Sequence, residues 1–108
     1  MSWFIKTESF TSKTLRLPSS DRRKFLAKHK EWVAKLHALG TNISSGYLVD
    51  ENKKPGGGGV LIIEATSYED AIALIKQDPM IIEDLVTWKV QEWLPVFGQL
   101  LKQTTLDK

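Results

Sequence analysis

Imidazole is the side chain that exchanges protons near neutral pH, so the histidines are where acid/base chemistry is sought first. There are two, His29 and His37, and both fall between Asp21 and Leu39. Over that stretch Phe25, Leu26, Trp32, Val33 and Leu36 recur at helical spacing. At about 100° per residue, His29 falls close to the middle of their stripe. Leu26 and Val33 flank it on one side, Phe25 and Trp32 on the other. A polar ring there needs hydrogen-bond partners, because an unpaired buried polar group is costly. Two readings stand: a core histidine satisfied by a carbonyl or a water, or a general acid/base. His37 lies at the stripe's edge and reads as half-exposed.

Asp78 precedes Pro79. Proline suits the first position of a helix and aspartate the cap before it, so Asp78 reads as an N-cap. It also reads as a hydrogen-bond acceptor for His29, which would fix the ring's tautomer and raise its basicity. The two roles are compatible if one carboxylate oxygen stays free.

Other chemical signals are weaker. His29 and His37 have no acidic residue at a zinc-site spacing, so no metal is expected. Gly56 to Gly59 lacks the Gly-Lys-Ser/Thr ending of a phosphate loop and precedes a strand; it reads as a flexible hairpin connection. Ser44 and Ser45 carry no nucleophile-elbow pattern. Lys6 and Lys89 are expected on the sheet face away from the helices, as solvated lysines or as a site for an acidic substrate.

These residues must be placed by secondary structure. Trp3 to Glu8 reads as a strand. Ser9 to Ser20 reads as a polar loop or a lid. The helix from Asp21 to Leu39 is capped by Ser19, Ser20 or Asp21 and closed by Gly40. Asn42 to Val49 is a strand, Asp50 to Gly59 a loop, and Val60 to Ala65 a central apolar strand. Ser67 opens a second helix, with Asp70 as its capping-box partner and Ala71, Ile72, Leu74 and Ile75 as its buried stripe. A short turn or helix around Met80 to Asp84 leads to a last strand, Leu85 to Trp93. The order is βαββαβ, which predicts an α+β, ferredoxin-like domain with a four-stranded antiparallel sheet and both helices on one face. The other face needs cover, so a homodimer with sheet packed on sheet is expected, or a higher homo-oligomer. The domain is expected over residues 1–97, with a C-terminal tail over 98–108.

Composition narrows the function. The 108 residues suit one core. A net charge of +2 with dispersed Lys and Arg argues against nucleic acid or an anionic membrane surface as partner. Val60 to Glu64 lacks the aromatics and positive charge of an RNA-binding third strand. The chain has no cysteine, which excludes disulfides and thiolate chemistry. No apolar run approaches the roughly 20 residues of a membrane span, and no signal-peptide pattern opens the chain, so a cytoplasmic location is expected.

The run HKEWVAKLHALGTNISSGY, His29 to Tyr47, followed by SYEDAIALIKQDPMI, Ser67 to Ile81, resembles the YCII-related (YciI-like) family. The first is a helix with a histidine, a turn, and a strand ending in a small-residue step. The second is a helix closed by Asp-Pro. With the strands around them, the resemblance covers Trp3 to about Phe97. It implies a dimeric α/β barrel and an active site of one His and one Asp, here His29 and Asp78. It implies lyase or isomerase chemistry on a small organic acid, such as dehydrochlorination or a lactone reaction, with no cofactor. Ser45, Gly46, Tyr47 and Trp32 are then expected to contact the substrate. Relatives commonly carry Gly-Pro where this chain has Gly46-Tyr47. The alternative is a non-catalytic dimeric module that binds a small ligand.

Overall fold

The computed structural model describes residues 1–98, so the tail expected over 98–108 lies outside the described residues apart from Gly98. The strands are β1 (Ser2–Phe10), β2 (Ile43–Val49), β3 (Pro55–Ala65) and β4 (Val86–Trp93). They form one sheet in the order β2-β3-β1-β4, with every neighbour pair antiparallel. The helices are α1 (Ser12–Leu15), α2 (Ser19–Ala38), α3 (Tyr68–Ile75) and α4 (Pro79–Ile82). The α+β, ferredoxin-like arrangement is the one the element order predicts, with two one-turn helices added. Among the described residues no helix is long and apolar enough to cross a membrane.

The period-2 alternation of the strands sorts the side chains into two faces. Phe4, Leu61, Ile63 and Val90 turn towards the helices and pack with Trp32 and Leu36 of α2 and Ala71 and Ile75 of α3. A smaller cluster of Met80, Leu85 and Val86 gathers Phe10, Leu17 and Phe25 beneath α4. Trp3, Ile5, Val60, Ile62 and Trp93 alternate onto the opposite face and are only half-buried.

The helix ends follow local chemistry. After α2, Gly40 takes φ +95. Thr41 N–H donates to Leu36 O and Gly40 N–H to His37 O, both at 3.0 Å, the paired bonds of a Schellman cap. At α3, Ser67 Oγ accepts the Asp70 N–H at 3.0 Å. The Asp70 carboxylate does not complete a capping box but accepts from the Thr66 hydroxyl instead.

Several expectations are corrected. Ser9 to Ser20 is neither loop nor lid: β1 continues to Phe10 and α1 follows. Its threonines are used internally, with Thr14 buried and its hydroxyl donating to Leu85 O at 2.7 Å. α2 begins at Ser19, and the residue in its cap position is Pro18, which makes no side-chain cap bond. The fixed φ of proline sets the chain's entry angle there. Leu26 is not part of the buried stripe; it is 40% exposed, because the stripe centres on Phe25, His29, Trp32 and Leu36. Gly56 to Gly59 belong to β3; Gly58 and Gly59 pair with β1, and Gly59 also pairs with β2. At Gly59 an added Cβ would lie 3.1 Å from Gly46 O and 3.2 Å from Glu8 Oε2, so a bare backbone is what lets three strands close up. Lys6 is the main error of facing: its phase matches Phe4, and it points into the helix side. Lys89 does alternate to the face away from the helices and is exposed.

Candidate active site

Asp78 lies at the joint between α3 and α4. Pro79 occupies the first turn of α4, and Asp78 takes an extended conformation in front of it (φ −60, ψ 124). Its Oδ1 accepts the Met80 N–H at 3.0 Å, so it is the N-cap the Asp-Pro step predicts. The same oxygen lies 2.9 Å from His29 Nδ1. Both roles therefore share one oxygen, using its two lone pairs. The second oxygen is not free either. Oδ2 accepts from Lys6 Nζ at 3.1 Å, and Lys6 donates its other bond to Glu8 Oε1 at 2.6 Å.

This geometry fixes the histidine tautomer. An ionised carboxylate only accepts, so Nδ1 carries the proton that bonds Asp78. Nε2 of the neutral ring is then an acceptor, and Ser45 Oγ lies 2.8 Å from it. The ring is 15% exposed, while the Asp78 side chain is 0% and the Lys6 side chain 1% exposed. A buried anchor thus carries a histidine whose outer nitrogen faces β2 and solvent.

The anchor is ionised. Burial acts to raise the Asp78 pKa, but it is outweighed. The hydrogen bond from His29, the charges of Lys6 and His29, and the Met80 N–H together hold the carboxyl below its usual 3.8. A carboxyl with a lowered folded-state pKa adds stability above the unfolded value, and this is lost as pH falls through the folded value. Urea midpoints should therefore fall as pH drops below about 4. Asp78→Asn should flatten part of that slope relative to the native chain, and identical slopes would show that Asp78 gains nothing from ionising.

The sheet register explains why these groups meet. Lys6 pairs with Leu61, and Leu61 pairs with Ser45, so the three form one transverse row on the helix side. α2 packs against both β2 and α4, which suspends His29 above that row between Ser45 and Asp78.

Of the residues singled out in the sequence, the structure brings His29, Asp78 and Ser45 into one hydrogen-bonded chain. Trp32 lies beside them, its ring centroid 5.8 Å from that of His29. Its indole N–H is buried without a hydrogen-bond partner among the described residues. Tyr47 shares the strand face of Ser45 but is 72% exposed. Gly46 alternates to the other face, where an added Cβ would meet nothing within 4 Å. His37 is exposed, as its edge position predicts. Lys6 and Glu8 were not assigned to the site from sequence. The signal for Lys6 was its two-residue offset from Phe4, masked by the large residues Trp3 and Ile5 on the other face. Among the described residues no three of His, Cys, Asp and Glu are grouped so as to hold a metal ion.

Comparison with known proteins bears on the fold and the family. No curated protein matches the sequence. Among solved structures, 5-chloro-2-hydroxyhydroquinone dehydrochlorinase from Burkholderia phenoliruptrix, in complex with 2,5-dihydroxybenzoquinone, superposes with a TM-score of 0.66 at 21% identity. That match covers 85% of this chain and 93% of the other. The de novo designed protein Ferredog-Diesel superposes with a TM-score of 0.55 at 15% identity, covering 84% of each chain. At these identities both likenesses establish the ferredoxin-like fold. Residues 4–93 also match the YCII-related domain, and the chain belongs to that family.

Proposed function

We propose that this chain is a small-molecule enzyme of the lyase or isomerase type in which His29 is the general acid/base and Asp78 its positioning carboxylate. The observation that carries this reading is the 2.9 Å bond from a partly exposed imidazole to a carboxylate that is fully buried and yet ionised. A carboxylate buried and charged for structure alone would not need a titratable, solvent-reachable partner. Asp78 holds the ring with Nε2 outward and balances the charge when Nε2 takes a proton. Lys6 holds Asp78 in turn. Trp32, with its ring centroid 5.8 Å from that of His29, supplies an aromatic wall beside the imidazole. Small oxygenated acids, lactones and chlorinated phenols are the compounds on which one acid/base group of this kind can act. Dehydrochlorination removes one proton and one chloride from the same molecule, so one acid/base pair accounts for it without an external redox partner.

The test uses 2,5-dihydroxybenzoquinone, the molecule bound in the structural neighbour, as a probe. In a histidine-labelled sample, the ring resonances of His29 should shift on addition while those of exposed His37 stay put. Titration of His29 between acid and neutral pH, altered by the probe, supports the reading. A His29 unchanged by the probe and silent to pH would favour the non-catalytic module.

The same reading includes a homodimer. Trp3, Ile5, Val60, Ile62 and Trp93 share the sheet face opposite the described helices, and Leu94, Val96 and Phe97 beyond it are exposed. Apolar surface of this kind marks a binding face. Light scattering should give twice the chain mass, and Ile62→Asp should shift it towards one chain. A monomeric mass for the native chain at micromolar concentration would remove the dimer.

A further inference from the structure

The outer nitrogen of His29 is already occupied. Nδ1 is committed to Asp78 and Nε2 to Ser45, at 2.9 and 2.8 Å. A molecule arriving from solvent therefore meets the Ser45 hydroxyl before it meets the ring. Asp78, His29 and Ser45 form a buried carboxylate, an oriented imidazole and an exposed hydroxyl joined by two hydrogen bonds. This is the connectivity that activates a serine oxygen, recognised by geometry and not by position in the chain.

We propose that Ser45 is a nucleophile towards small activated esters, giving this site an acyl-transfer activity that rests on His29 acting as the base. Ser45 Oγ bonds to the acyl carbon, and its proton passes to His29 Nε2. The bond from the acyl carbon to the ester oxygen breaks, and Nε2 returns the proton to the departing alkoxide. Water then adds to the acyl-serine, gives its proton to Nε2, and Ser45 leaves with that proton as the acid is released. The sum is ester plus water to acid plus alcohol.

The strand supplies a matching donor. Asn42 O accepts from Glu64 N–H at 2.9 Å, so that pair is hydrogen-bonded across β2 and β3. In an antiparallel ladder hydrogen-bonded and open pairs alternate. With Ile43 opposite Ile63, Ser44 opposite Ile62 and Ser45 opposite Leu61, Ser45 falls in an open pair. Its own N–H and C=O therefore point to the free edge of β2, which no other strand covers among the described residues. A backbone N–H beside the nucleophile is the kind of donor that steadies a developing oxyanion. Ser44 alternates to the other sheet face and has neither feature.

The experiment is labelling of the intact chain with a fluorophosphonate, read by peptide mass spectrometry. Native protein should carry the adduct on Ser45. His29→Ala should slow labelling by about 10²-fold or more, since the base is then missing. Ser45→Ala should lose it with an unchanged circular dichroism spectrum, because the residue is exposed on an edge strand. No adduct on Ser45, or one on Ser44 instead, would overturn the acyl-transfer proposal. If His29 still responds to 2,5-dihydroxybenzoquinone in that case, the acid/base reading stands without it. A Ser45 adduct formed equally fast in His29→Ala would also overturn the acyl-transfer proposal, because His29 would then not be the base.

Discussion

His29→Ala should lower turnover in an elimination assay by about 10²–10⁴-fold, the usual share of a positioned general acid/base. The fold should survive. His29 lies on the inward stripe of α2 but its ring is 15% exposed, at the margin of the core, and alanine is the best helix former. Nor does its removal strand Asp78: the Met80 N–H stays on Oδ1 and Lys6 on Oδ2. The variant thus removes the proton carrier and leaves its support in place. Asp78→Asn should give a smaller loss of a different kind. Asparagine can keep its oxygen on both the Met80 N–H and Nδ1, but it no longer carries the negative charge that balances a protonated imidazole, and its NH2 is turned towards Lys6 Nζ. A pH–rate profile separates the two: His29→Ala should lose the limb due to the imidazole, and Asp78→Asn should move it. Native-like turnover in His29→Ala would end the acid/base reading, whatever ligand the site holds.

The sequence showed the parts of this site more clearly than their connections. His29 stood out because a polar ring interrupts an apolar helical stripe, and Asp78 because Asp-Pro marks a helix start. Their meeting depends on residues 49 apart in the chain. It is set by how α2 rests on β2 and α4, and no local pattern encodes that. Ser45 was expected at the substrate only through the family resemblance, and its bond to Nε2 follows only from the register that aligns it with Leu61 and Lys6. Lys6 was misplaced because Trp3, Phe4 and Ile5 are all large and apolar. With both faces of β1 offering a hydrophobic surface, alternation alone does not say which is inside. Polarity misled in the same way at Thr11 and Thr14. They look like loop residues but satisfy one another and the Leu85 carbonyl inside the structure. Glycines were read as loop because their usual role is freedom of φ. Gly59 is in a strand, where what matters is the missing side chain.

Lys6→Met should cost about 3 kcal/mol of stability, at the low end of the range for removing one partner of a buried ion pair. Methionine keeps the volume and the apolar stem, so the cost is electrostatic. Lys6 and Asp78 are almost wholly removed from water, and without the ammonium Oδ2 keeps its charge with no counter-ion. The low end applies because His29 and Met80 still hold Oδ1. Against a total of roughly 5–15 kcal/mol for a domain of this kind, the loss should be visible as a large drop in the urea midpoint. The discriminating variant is the double one. Lys6→Met with Asp78→Asn removes both charges while the N-cap to Met80 is kept, and an amide needs no counter-ion. It should be more stable than Lys6→Met alone, since an unpaired buried charge costs more than a neutral pair. If Lys6→Met instead lay within about 0.5 kcal/mol of the native chain, the pair would be no stronger than an exposed one, and Lys6 would add little to the His29 hydrogen bond in keeping the carboxylate charged.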